Sequence, residues 1–112
     1  MKLLIHKKKV DADICKGLAV FLGFMFSLSQ GRAKVLVFPS ERKISLHMLF
    51  VFFPLNILLL DSQKRIIETT KLGPFSFFSS KKKARYVIEI PSSLFTKLRL
   101  RVKKGEKIKF IS

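Results

Sequence analysis

The chain is short of the residues that most often carry chemistry. It has one cysteine, no tryptophan, one tyrosine and two histidines in 112 residues, with seven acids against twenty-three lysines and arginines. A single cysteine, Cys15, excludes an intramolecular disulfide and fits a reducing compartment. No GxSxG, Walker A, HExxH or CxxC pattern occurs, so nucleophile-elbow, P-loop, zincin and dithiol chemistries have no sequence support. The seven acids are scattered, whereas general acid–base catalysis needs carboxylates or histidines held together. No uncharged run reaches the roughly twenty residues of a spanning helix. The longest candidate, Ile44 to Leu60, has seventeen residues and contains His47, Pro54 and Asn56. The apolar Met1–Ile5 opening is cut short by His6-Lys7-Lys8-Lys9, which argues against a secretion signal and for a cytoplasmic protein.

What is abundant is apolar side chain and positive charge. Hydrophobic residues make up 48% of the chain, twelve of them Phe, which excludes disorder. The length suits a single domain, residues 1–112. The net charge of +16 favours anionic partners such as nucleic acid, acidic lipid or an acidic protein, or else simply solvates a very apolar core.

In chain order, Lys2–His6 and Val10–Cys15 read as two strands around a Lys7-Lys8-Lys9 turn. Residues 16–22 read as a short helix, and Val35–Phe38 as a brief strand ended by Pro39. Pro54 divides the central run into strands Ile44–Phe53 and Leu55–Leu60, each apolar enough to be covered on both faces. Asp61–Lys64 turns the chain into a strand Arg65–Thr70. Leu72–Lys83 reads as a loop whose Phe75, Phe77 and Phe78 fold back as a lid on the core or form a contact patch. Ala84–Ile90 alternates, with Arg85 and Glu89 on its polar face. Residues 92–98 form a second short helix behind a serine cap. Leu100 and Val102 alternate with Arg99, Arg101 and Lys103, and Ile108 and Phe110 with Lys107 and Lys109, a pattern that predicts a terminal strand pair with one basic face. The sum is a mainly β protein, a β-sandwich or barrel with one or two short helices.

The segments GFMF (Gly23 to Phe26), VLVF (Val35 to Phe38), HMLFVFFPLNILLLD (His47 to Asp61), GPF (Gly73 to Phe75), ARYVIEIP (Ala84 to Pro91) and KKGEKI (Lys103 to Ile108) carry a family pattern in order and spacing. Together they make the chain resemble the family catalogued as domain of unknown function 192, above all its archaeal members. The resemblance implies a compact jelly-roll-like β-sandwich with short helices and no established activity. It marks Gly23, Met25, Phe26, Met48, Pro54, Leu55, Asn56 and Asp61 as motif positions of unknown role. Three charged positions of the pattern are lost here: Asn56 replaces an Asp, and Ser27 and Val20 replace Arg. Phe24 stands for the motif's Leu. Those losses weaken any enzymatic role.

No catalytic, metal or cofactor site emerges from the residues. Asp11, Asp13 and Cys15 share one strand face near His6, yet match no metal-ligand spacing, and His47 reads as a core or rim residue. From Lys81 to Ser112 the chain has eleven basic residues and two acids. Lys81, Lys82, Lys83, Arg85, Arg99, Arg101, Lys103, Lys107 and Lys109 therefore form the candidate anion-binding set, able to grip phosphates without reading sequence. Three functions follow. The first is a non-catalytic binding or structural domain that meets a partner, or a second copy, through an apolar edge or the Phe75–Phe78 loop. The second is a non-specific binder of nucleic acid or another anionic surface. The third is a carbohydrate-type module or enzyme, by fold analogy alone.

Overall fold

The computed structural model describes residues 1–16, 30–48 and 51–111. Among them, strand dominates. The elements are β1 (Lys2–Ile5), β2 (Lys8–Cys15), β3 (Ala33–His47), β4 (Leu55–Leu60), β5 (Ile66–Leu72), β6 (Phe77–Pro91), the helix α1 (Ser92–Lys97) and β7 (Lys109–Ile111). They form a seven-stranded sheet in the order β5-β4-β6-β3-β2-β1-β7. All pairings are antiparallel except β2 with β3. The expected mainly β architecture is present.

The sheet curls until its two edges meet. Arg65, just before β5, bridges Lys107, just before β7. Ile66 N donates to Glu106 O at 2.8 Å, Gly105 N to Ile66 O at 2.8 Å, and Ile108 N to Lys64 O at 3.0 Å. Closure of this kind satisfies edge groups that would otherwise invite pairing with other chains. Asp61 prepares the seam: its Oδ1 accepts from Gln63 N (2.9 Å) and Arg65 N (3.0 Å), fixing the turn that presents Lys64 and Arg65.

Side chains inside the curl and outside it make two separate cores. The inner one includes Leu3, Ile5, Val10, Ala12, Val35, Leu58, Leu60, Ile66, Ile88, Ile90 and Ile108. The outer one includes Leu36, Ile44, Met48, Val51, Phe53, Leu55, Ile57, Leu59, Leu72 and Val87. Strand alternation sends β4 residues to both, so β4 is covered twice, as its composition requires.

Several local expectations are corrected. The first hairpin turns at His6-Lys7, not Lys7–Lys9, and both residues take positive φ (48° and 66°) as a two-residue type I′ connection demands. Lys8 and Lys9 belong to β2. Pro39 does not end β3: the strand passes it through an irregularity between Val37 and Arg42 and runs on to His47. Ile44–His47 is therefore the end of β3, with Ser45 and His47 exposed, not half of a buried strand reaching Phe53. Residues 77–83 are strand, not loop. Residues 99–103 are not a strand, and β7 pairs with β1 instead. The burial alternation there holds, because Leu100 and Ile108 are buried between exposed basic neighbours. The helix at 92–97 is present without a serine cap: Pro91 stands at the N-cap position, and Ser92 and Ser93 bond Asn56 and Gln30. The helix expected at 16–22 falls, beyond Lys16, outside the described residues.

Seam packing gives a stability test. Ile108 is 1% exposed inside the inner core, next to the seam bonds. Ile108→Ala should cost about 2–5 kcal/mol in denaturant unfolding. A loss below about 1 kcal/mol would show that the seam is not part of the cooperative fold.

Candidate functional site

The basic positions fall into two groups. Lys81, Lys82, Lys83 and Arg85 lie on β6, beside Arg42 and Lys43 of β3, with Lys43 directly opposite Lys83. Arg85 Nε donates to Phe38 O at 2.8 Å, and its guanidinium stands 5.7 Å from the Tyr86 ring centre, so this arginine is tied into the fold. The second group lies along the C-terminal segment. Arg99 and Arg101 line a recess of about 340 Å³ together with His6 and Lys8. Lys107 and Lys109 line another of about 400 Å³ with Lys64, Ile108 and Phe110. Lys103 is exposed in the turn region between them.

Two of these residues could not be read as site members from the C-terminal pattern. Lys8 Nζ donates to Leu98 O at 2.5 Å and Arg99 O at 3.2 Å, clamping the β1–β2 hairpin to the end of α1. His6 Nε2 meets the Glu106 carboxylate. Arg99 itself takes φ 52°, in the left-handed region. At the neighbouring recess the Lys64 ammonium lies 4.6 Å from the Phe110 ring centre and 5.8 Å from that of Tyr86, a cation–π arrangement that covers the aromatic faces. Bases would have to displace Lys64 to stack there.

A third feature is apolar. Phe75 and Phe77 do not fold back as a lid: they are 53% and 77% exposed, and Phe52 is 48% exposed. Only Phe78 packs against the outer core. Phe52 and Phe75 meet edge to face with ring centres 6.2 Å apart. Phe75 has φ 61°, rare for an aromatic residue, and is held there by its N–H donating to Met48 O (2.8 Å) while Met48 N donates to Ser76 O (2.7 Å). Exposed His47 faces Phe77 across the ladder.

The motif positions that are described serve the fold. Met48 and Leu55 are buried in the outer core. Pro54 O accepts from Ser92 N (2.9 Å), and Asn56 Oδ1 accepts from Ser92 Oγ (2.6 Å), docking the start of α1 on β4. An acceptor oxygen is what this position supplies, and an amide gives it as a carboxylate would. Gly23, Met25 and Phe26, with Val20, Phe24 and Ser27, lie outside the described residues.

The acids near the N-terminus are separately engaged: Asp11 with Lys2 at 2.6 Å, Asp13 with Arg32 at 3.0 Å. The Lys2 ammonium holds the Asp11 carboxyl below its ordinary value. Burial raises the Cys15 thiol, an environment that suppresses thiolate reactivity. Among the described residues no cluster of three His, Cys, Asp or Glu side chains could hold a metal ion.

Glu89 was expected on the polar face of its strand. It is 7% exposed instead, because β6 is covered on both sides at this level. Its neighbour across the ladder is Lys34, and Oε1 accepts no hydrogen bond. Burial pushes its pKa up to about 7 against the Lys34 charge. A carboxyl poised there resembles a general acid, yet among the described residues no nucleophile, second acid or recess converges on it.

The sign of its pH effect is fixed. The folded state holds the proton more tightly than the unfolded state, so stability falls as pH rises from about 4.5 to about 7 and stays low above that. Glu89→Gln removes the ionisable group. Its stability relative to the native chain should rise by about 3 kcal/mol between the acid and alkaline sides of that window. Urea unfolding across pH measures this, and a pH-independent difference would mean that Glu89 does not titrate as described.

Fold and surface together define a small, basic, curled β-sheet protein whose conspicuous exterior features are charge and exposed phenyl rings. Residues 7–110 match the model for DUF192, described as uncharacterized ACR, and the chain belongs to that family. It is 33% identical over 92 residues to a UPF0127 protein of Pyrococcus abyssi, covering 80% of this chain and 76% of that one. A UPF0127 protein of Pyrococcus horikoshii is 34% identical over 93 residues, covering 81% and 78%. Two solved structures share the fold. One, a putative transcription regulator from Sinorhizobium meliloti, has a TM-score of 0.80 at 17% identity, over 96% of this chain and 89% of that one. The other, a protein of unknown function from Novosphingobium aromaticivorans, has 0.82 at 15% identity, over 98% and 84%.

Proposed function

We propose that this protein is a non-catalytic binding domain, and that its contact surface is the tip formed by Phe52, Phe75 and Phe77. The observation that carries this is Phe75: an aromatic residue in left-handed backbone, pinned by hydrogen bonds, yet half exposed. Strain of this kind costs on the order of 1–3 kcal/mol, and burial of the ring does not offset it here. Exposed, rigid aromatics are also what binding hot spots are made of. Benzoylphenylalanine in place of Phe77 should give discrete photo-adducts in cells, with a second copy, another protein or a lipid. The same group at exposed Lys104 should not. Equal yields from both positions, or none, would reject the tip as a contact surface.

A second reading, non-specific binding of nucleic acid or another polyanion, is supported by the convergence of His6, Lys8, Arg99 and Arg101 on one recess. It calls for filter binding of duplex and single strands across salt. Arg99→Gln with Arg101→Gln should weaken retention and flatten the salt slope by roughly 0.9 for each phosphate contact removed. Absence of retention at low salt would eliminate this reading.

A further inference from the structure

We propose that the Phe52–Phe75–Phe77 tip seats this protein on the surface of an anionic phospholipid bilayer, its phenyl rings in the boundary between headgroups and acyl chains. The inference rests on the tip being a contact surface and names what it contacts.

Charge around the tip is of one sign. Arg42, Lys43, Lys71, Lys81, Lys82 and Lys83 are all exposed, and all lie on the strands that lead to the tip. Residues 42–60 and 69–84 contain no acid. The acids that flank these stretches are each engaged: Glu68 Oε1 accepts from Lys81 N at 3.0 Å and Lys82 N at 3.4 Å, Glu41 Oε2 from Ser62 N at 2.7 Å, and Asp61 Oδ1 from Gln63 N and Arg65 N. Apolar rings at the end of strands that carry lysines match a layered partner, in which hydrocarbon lies beneath phosphate, and each basic residue near such a surface adds about fivefold to partitioning. A second copy is the poorer occupant, since two tips face to face would bring two sets of like charges together. The rings also come from different segments, residue 52 and residues 75–77, and stand out from strand ends. A fluid interface accepts protruding side chains without a complementary groove. No long apolar helix is needed, and none occurs among the described residues.

A protein of charge +16 will adsorb to any anionic surface, so the test must separate insertion from adsorption. The chain has no tryptophan, so Phe77→Trp creates a single reporter at the tip. With vesicles of equal parts phosphatidylcholine and phosphatidylglycerol its emission should shift to the blue, and with phosphatidylcholine alone much less. In co-sedimentation, Phe75→Ser with Phe77→Ser should lose about tenfold or more in binding. Lys43→Gln, Lys81→Gln and Lys83→Gln together should lose about fivefold per charge. Lys9→Gln with Lys104→Gln, exposed and far along the chain from the tip, should bind nearly as the native chain does. These substitutions fall on exposed side chains, so each variant is expected to fold. Absence of a blue shift, or vesicle binding unchanged by the phenylalanine substitutions, would overturn the lipid assignment. If protein adducts at position 77 were then still found, the tip would stand as a contact surface for a protein. If no adducts formed, both readings would fall together.

Discussion

Much of this structure follows from one constraint: β4, Leu55–Leu60, is apolar on both faces and must be covered twice. Its odd residues, Leu55, Ile57 and Leu59, face the outer core and its even ones, Leu58 and Leu60, the inner core. A flat sheet with one solvated face cannot satisfy that pattern. The curl supplies one cover, because β1, β2 and β7 come round to enclose the inner side chains. Met48, Val51 and Phe53 contribute to the other. The seam at Arg65 and Lys107 is what keeps the curl shut, and Asp61 shapes the turn from which it hangs.

Motif positions that resemble remnants of a site turn out to hold the fold: Asn56 anchors α1 through Ser92, and Asp61 builds a turn. The acids are engaged one by one, and Glu89 is enclosed by the same double coverage that buries β4. What remains outward is charge and phenyl rings. The two groups are separate: the C-terminal basics gather around the seam and the first hairpin, while a second basic group lies along β3 and β6, the strands that lead to the exposed phenylalanines.

The strand Leu55–Leu60, the strand expected at Arg65–Thr70 and found at Ile66–Leu72, the short helix after Pro91, and the burial of Leu100 and Ile108 were legible because each rests on local residue pattern. The passage of β3 through Pro39 was not, because a bulge relieves the missing donor and bulges depend on the partner strand. The His6-Lys7 turn was misplaced because neither residue is among those that adopt positive φ freely; the pairing of β1 with β2 holds them there. Glu89 was assigned to water because alternation shows which face a residue is on, not whether that face is covered. Of the two expectations for Phe75, Phe77 and Phe78, a lid on the core or an exposed patch, residue type could not choose: Phe78 packs on the core while Phe75 and Phe77 are exposed.

By itself the sequence determined composition, charge, the family pattern and the two-sided strand, since all of these are properties of residue types and local spacing. Only the tertiary structure decided that His6 and Lys8 would join Arg99 and Arg101, that Glu89 would be enclosed, and that Phe52 would meet Phe75. Those outcomes depend on which distant segments share a sheet edge or a strand end. That is fixed by long-range pairing, which no local window of the chain contains.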